Sequence, residues 1–180
     1  MIVVTGSPGS GTSLMMQTLI LLHYPVVGEV FAPGKPRELN QKGYWELPVD
    51  EEVKGINSSK YLGKAVKLLG VGLLKTNPEL IDKVILCRRR LPECIDSAHR
   101  YIQSTGKFWG LRDDQLTVDV AAAIVRINLR KSVNYLIKNG IEYKSVWYED
   151  MINKPEESVY GIAEFIGCVP QLTAMSNVGV

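Results

Sequence analysis

Cysteine is scarce in this chain of 180 residues, with only Cys87, Cys94 and Cys168. The number is odd and the spacing matches no zinc finger or ribbon, so neither a disulfide framework nor a structural metal is expected. The three read as reduced thiols in packed positions. Histidine is scarcer still: His23 falls at the end of an apolar run and His99 inside a helical one. Both read as packing or surface residues rather than catalytic bases, with a reservation for His99 because of its neighbours. Charge of one sign is also missing. Twenty-one Lys+Arg face 19 Asp+Glu, a net +2, which is too balanced for coating nucleic acid, so no nucleic-acid partner is expected and any anion site must be local. No apolar run approaches the roughly 18 to 20 residues of a membrane span. The chain opens directly into Ile2-Val3-Val4, with no basic segment and cleavage site before it, so no membrane association and a cytoplasmic setting are the expectation.

What is present is an ordinary globular composition, 46% apolar and 22% charged, with no internal repeat or low-complexity segment. One domain over residues 1–180 is expected, with a frayed tail from about 170. Short apolar runs at Met1 to Thr5, Lys64 to Leu69, Lys83 to Cys87 and Glu142 to Tyr148 predict strands. Helical patterns run from Thr12 to His23, Pro48 to Ser58, Pro92 to Gln103, Leu116 to Asn139 and Glu156 to Ile166. In the longest of them, Val120, Ile124, Ile127, Val133, Leu136 and Ile137 are expected to share the buried side. Ala32 to Gly43 and Ser104 to Asp114 read as links. Strands alternating with helices predict an α/β three-layer sandwich with a mostly parallel sheet. Ligands collect beyond the carboxyl ends of such strands, here after Thr5, Leu69, Cys87 and Tyr148.

The first strand turns through Gly6-Ser7-Pro8-Gly9-Ser10-Gly11-Thr12-Ser13 into a helix. Glycine tolerates the dihedrals that aim successive N–H groups at one anion, and the helix N-terminus adds partial positive charge. Ser10, Thr12 and Ser13 offer hydroxyls at the same place. The loop is similar to a Walker A sequence, but Thr12 stands where that motif has its lysine, and no strand ends in an evident Walker B aspartate. A magnesium-dependent ATP or GTP site is correspondingly disfavoured.

The same residues, continuing into Leu14-Met15-Met16-Gln17, resemble the phosphosulfate loop of the P-loop-type sulfotransferases, most closely bacterial members. The resemblance implies that Ser7, Pro8, Gly9, Ser10, Gly11, Thr12 and Ser13 bind the 5′-phosphosulfate of 3′-phosphoadenosine 5′-phosphosulfate (PAPS), a co-substrate. Gly9 departs from the pattern, since the family usually carries arginine or lysine there. A second block, Val84 to Ser97, is similar to the family's 3′-phosphate motif, a strand-end arginine eight residues before a helix serine, and implies Arg89 and Ser97 as the second anchor. An arginine offers a phosphate a planar fork of donors. Arg88 and Arg90 are expected to flank the site or face solvent. Val146-Trp147-Tyr148-Glu149-Asp150-Met151 resembles a late strand-and-turn element, with Glu149 or Asp150 capping a turn or pairing with a basic residue.

For catalysis the resemblance implies Lys67 as a cation that covers the charge missing at Gly9, and Glu46 as the base. From the residues alone, Glu46 reads equally well as a surface carboxylate and Lys67 as a strand lysine snorkelling to water. Leu69 stands where other members have a histidine base. Tyr44 and Trp45 either wall an acceptor pocket or belong to the core, and Trp109 reads likewise. The expected activity is sulfuryl transfer from PAPS to a hydroxyl or amine of a small-molecule or glycan acceptor. Two alternatives stay open: a P-loop kinase with a degenerate Walker A, or a non-catalytic nucleotide-binding homologue. Acceptor identity and oligomeric state are not encoded in any readable motif.

Overall fold

The computed structural model describes residues 1–31, 34–106 and 111–169. Part of the expected surface loop (32–33), Trp109 within 107–110, and the expected tail from 170 lie outside the described residues. The chain runs β1 (Ile2–Gly6), α1 (Thr12–Leu21), β2 (Val26–Val27), α2 (Val49–Lys54), β3 (Ala65–Lys67) and α3 (Gly70–Lys75). It continues as β4 (Lys83–Arg88), α4 (Leu91–Thr105), α5 (Val118–Lys138), β5 (Tyr143–Trp147), α6 (Tyr148–Asn153) and α7 (Pro155–Ile166).

The five strands form one sheet in the order β2-β3-β1-β4-β5, and every pair is parallel. β1 lies at the centre and is buried along its whole length. Successive side chains of a strand point to opposite faces, and here both faces are covered, so the sequence reads as an unbroken apolar run. Ile2 and Val4 join Met15, Met16 and Leu19 of α1 and Val159, Ile162 and Ala163 of α7 in one core. Met1 and Val3 join Leu73 of α3 and Leu136 of α5 in a second core on the other face. These are the three layers. Ile85, fully buried, is typical of the centre, where truncation to alanine costs about 2–5 kcal/mol.

Strand order reverses at β1, with β3 paired on one side and β4 on the other. A crevice opens at such a reversal beyond the strand ends. The register Gly6↔Cys87 and Val4↔Lys67 brings the ends of β1, β4 and β3 together there.

Three features differ from the sequence expectation. The longest helix begins at Val118 rather than Leu116, because Thr117 Oγ1 accepts from Val120 N–H at 3.3 Å and caps it. Its buried side is Ala121, Ala122, Ser132 and Leu136, whereas Val120, Ile127 and Ile137 of the expected stripe are exposed. Counting apolar residues misplaced that face because Ser132 and Asn128 lie on the inward side, facing Gly70. The short elements β2, α3 and α6 were not anticipated; each has six residues or fewer, below the length at which periodicity speaks. The C-terminal end of α5 matches, with Gly140 in the left-handed region at φ 63. Among the described residues no helix is long and apolar enough to cross a membrane.

Candidate functional site

After β1 the chain closes a turn with Ser10 N–H donating to Ser7 O at 3.0 Å. Gly11 then starts α1 in the left-handed conformation, φ 94, with no side-chain cap. Only glycine suits that position, since a Cβ would come within 2.7 Å of Tyr148 Cδ2. The first helical bond is Met15 N–H to Gly11 O at 3.0 Å. The N–H groups of Thr12, Ser13 and Leu14 therefore precede the helical ladder and have no acceptor within it. All three residues line a cavity of about 360 Å³, together with Pro8, Gly9 and Gly11. That volume lies within the range of small-molecule sites, roughly 300–1,000 Å³.

Ser7 and Ser10 do not line this cavity. Both are buried, at 7% and 3% exposure. They border a smaller space of about 90 Å³ behind the loop, beside Cys87, Cys94, Asn128 and Ser132. Ser10 Oγ has no hydrogen-bond partner among the described residues. Of the three hydroxyls expected at one place, Thr12 and Ser13 face the main cavity and Ser10 backs the loop.

The strand-end arginine expected as a second anchor meets the glycine loop. Arg89, one residue beyond β4, donates from Nη1 to Gly9 O at 3.1 Å. Its guanidinium lies 4.0 Å from the Tyr148 ring centroid. Its Nε is buried with no partner among the described residues. Ser97, about two turns into α4, sits against the loop: a Cβ at Gly9 would be 3.3 Å from both Ser97 Cβ and Oγ. Arg89 and Ser97 line the main cavity. Arg88 turns to the other side, its guanidinium 4.3 Å from the Trp147 ring centroid. Arg90 is exposed, and its N–H donates to Glu149 Oε1 at 3.0 Å, which ties this turn to α6.

Lys67 and Glu46 come together as a buried ion pair, Nζ to Oε1 2.8 Å, at 3% and 8% side-chain exposure. Lys67 is thus no snorkelling lysine. Its Nζ also reaches Ser13 Oγ at 3.3 Å and the carbonyl of Tyr44. Burial pushes its pKa down, a shift that the Glu46 carboxylate partly opposes. An isolated bridge between Glu29 and Glu46 fixes the segment, and Trp45 adopts φ 58 within it. Tyr44 and Glu46 consequently line the cavity, while Trp45 packs against the core of α1 and α7. The aromatic pair divides between the two roles. Desolvation raises the Tyr44 hydroxyl to about 12, so it stays protonated at neutral pH.

Leu69 also lines the cavity, and neither His23 nor His99 does. Sequence reasoning missed Lys35, Arg100, Tyr101 and Tyr148, which are lining residues too. Arg100 and Tyr101 were legible in principle: they follow Ser97 by three and four residues and so share its helix face. Lys35 carried no such signal, since it sits in a loop without period. Its Nζ lies 3.4 Å from Glu46 Oε1. No protein-family model matches the chain, and no curated protein matches it.

Proposed function

We propose that this chain is a sulfotransferase of the P-loop type, moving a sulfuryl group from PAPS to a hydroxyl or amine of a small-molecule or glycan acceptor. The reading rests chiefly on one observation: Arg89 donates to Gly9 O, so the glycine loop and the strand-end arginine wall one cavity and can hold two ends of one nucleotide. The residues suit such an anion. An uncapped helix start offers N–H donors, and the half-buried Arg89 guanidinium keeps a buried Nε with no partner among the described residues.

In the proposed reaction the acceptor oxygen forms a bond to sulfur while the bridging bond from sulfur to the phosphate oxygen breaks. The electron pair stays on that oxygen, giving adenosine 3′,5′-bisphosphate, and the acceptor proton passes to Glu46. Lys67 beside Ser13 places positive charge on the loop side, where negative charge develops on the leaving phosphate, while Arg89 serves the 3′-phosphate end. The charge absent from Gly9 is thus supplied from the end of the neighbouring strand β3.

Calorimetric titration with adenosine 3′,5′-bisphosphate tests the reading. Submicromolar to micromolar binding is expected, weakened roughly 10- to 100-fold by Arg89→Ala, the worth of a charge-assisted hydrogen bond of about 1.5–3 kcal/mol. Unchanged affinity in the variant would remove the second anchor. Tighter binding of magnesium ATP would replace sulfuryl transfer with phosphoryl transfer, and nucleotide binding without turnover would indicate a non-catalytic homologue.

A further inference from the structure

The distribution of cations in the cavity is lopsided. Its lining contains Lys35, Lys67, Arg89 and Arg100 against one carboxylate, Glu46. Two of these cations are committed. Arg89 belongs to the loop end through Gly9. Lys67 has three N–H donors and three protein acceptors, Ser13 Oγ, Tyr44 O and Glu46 Oε1. An ammonium so occupied has no donor left for a ligand.

Lys35 is different. Its side chain is 31% exposed, and its ion-pair partner among the described residues is Glu46 Oε1 at the longer distance of 3.4 Å. Its Nζ stands 5.8 Å from the Tyr44 ring centroid and 5.7 Å from that of Tyr101. Two rings therefore steer this ammonium, and among the described residues no acceptor besides Glu46 takes its donors. The segment carrying it is fastened on three sides. Tyr44 Oη donates to Pro36 O at 2.8 Å, Ser104 Oγ to Glu38 Oε1 at 2.7 Å, and Gln17 Nε2 to Asn40 Oδ1 at 3.2 Å.

Helix α4 serves as a ruler between the two ends. Ser97, at the loop end, and Tyr101, beside Lys35, are separated by four residues, about 6 Å along the axis. Arg100 lies between them in sequence and lines the same cavity. Lys35, beside Tyr101, and Arg100, its neighbour in sequence, thus both line the cavity toward the far end of this ruler. Glu46 Oε1 lies within reach of both Lys67, at 2.8 Å, and Lys35, at 3.4 Å, and the two ammonium groups offset the repulsion between that carboxylate and an arriving anion.

We propose that Lys35 and Arg100 form an oxyanion subsite at the acceptor end of the cavity, so that the acceptor is a small hydroxyl compound carrying a carboxylate or sulfate group. The Tyr44 and Tyr101 rings would cover the apolar face of such a compound, as of an acidic sugar. This assignment of the acceptor rests on the sulfotransferase reading, but the subsite itself does not.

Inorganic sulfate is the probe. It is titrated into protein saturated with adenosine 3′,5′-bisphosphate, and the Tyr101 amide signal is followed by nuclear magnetic resonance. Saturable binding is expected, at least tenfold weaker in Lys35→Gln and in Arg100→Gln, with bisphosphate affinity within twofold of the wild type in both. Sulfate affinity equal in all three proteins, or no saturable shift in the wild type, would overturn the subsite. So would a loss of bisphosphate affinity matching the loss of sulfate, because the two cations would then serve the nucleotide. If the wild type fails to bind the bisphosphate, the nucleotide reading falls by itself. The sulfate titration is then run without nucleotide, with Arg89→Ala in the background to silence the loop end, and the same tenfold difference decides the subsite.

Discussion

Arg89 reaches from the end of β4 to the loop after the adjacent strand β1, its Nη1 donating to the Gly9 carbonyl at 3.1 Å. The contact places a guanidinium at the one loop position where the sulfotransferase resemblance leads one to expect a basic side chain. Gly9 itself disfavours such a side chain. Its φ is +81, and a Cβ would sit 3.3 Å from Ser97 Cβ and Oγ.

Restoring the missing loop charge directly should therefore fail. Gly9→Arg is expected to destabilise the fold by about 1–2 kcal/mol through the left-handed backbone alone, with a further loss as Ser97 is displaced. Nucleotide affinity should fall rather than rise, because Ser97 and the Arg89 contact move together. Urea unfolding and bisphosphate titration measure the two effects, and adding Ser97→Gly should recover the steric part only. A Gly9→Arg protein as stable as the wild type and binding more tightly would refute this account of the loop.

The glycine loop and the Arg89–Ser97 element could be read from the sequence because each is local: a glycine turn between strand and helix, and an arginine eight residues before a serine. Their union in one cavity follows from strand order, which the alternation of elements implies. The ion pair of Lys67 and Glu46 was not legible. Twenty-one residues separate the partners, and nothing local links a loop carboxylate to a strand lysine. Lys35 escaped for the same reason. The inward face of α5 was misread because Ser132, a polar residue at 2% exposure, holds a core position that a count of apolar residues assigns to the surface.

Alkaline pH should weaken the fold through Cys87. Burial pushes its thiol from 9.0 up to about 12. Between those values the unfolded chain has lost the thiol proton and the folded chain keeps it, so the folded state binds more protons and stability falls as pH rises. One such group contributes about 1.4 kcal/mol per pH unit. Urea unfolding at several pH values from 8 to 10.5 should show this decline, and Cys87→Ala should reduce its slope by about one proton while lowering stability at every pH. An identical slope in the variant would show that another group controls the alkaline limb.

The buried pair of Lys67 and Glu46 should behave asymmetrically when its members are removed. Lys67→Met leaves Glu46 with Lys35 at 3.4 Å, so the carboxylate keeps a cation. Glu46→Gln leaves Lys67 buried at 3% exposure with only neutral acceptors, Ser13 Oγ and Tyr44 O. Removing one member of a buried pair costs about 3–5 kcal/mol, and the glutamate substitution should stand at the upper end of that range with the lysine substitution below it. The double variant should cost less than the sum by on the order of 1–3 kcal/mol. Burial already holds the Lys67 pKa below 10.5 with Glu46 present, and losing the carboxylate lowers it further. In Glu46→Gln the folded lysine gives up its proton at a lower pH than the unfolded one, which keeps it up to about 10.5. The unfolded state then binds more protons, and the contribution of Lys67 to stability rises with pH through that window. A double-mutant cycle by urea unfolding at pH 7 and pH 9 reads both effects. Additive single costs, or a deficit in Glu46→Gln that does not shrink at the higher pH, would mean that the two side chains are not coupled as their 2.8 Å contact requires.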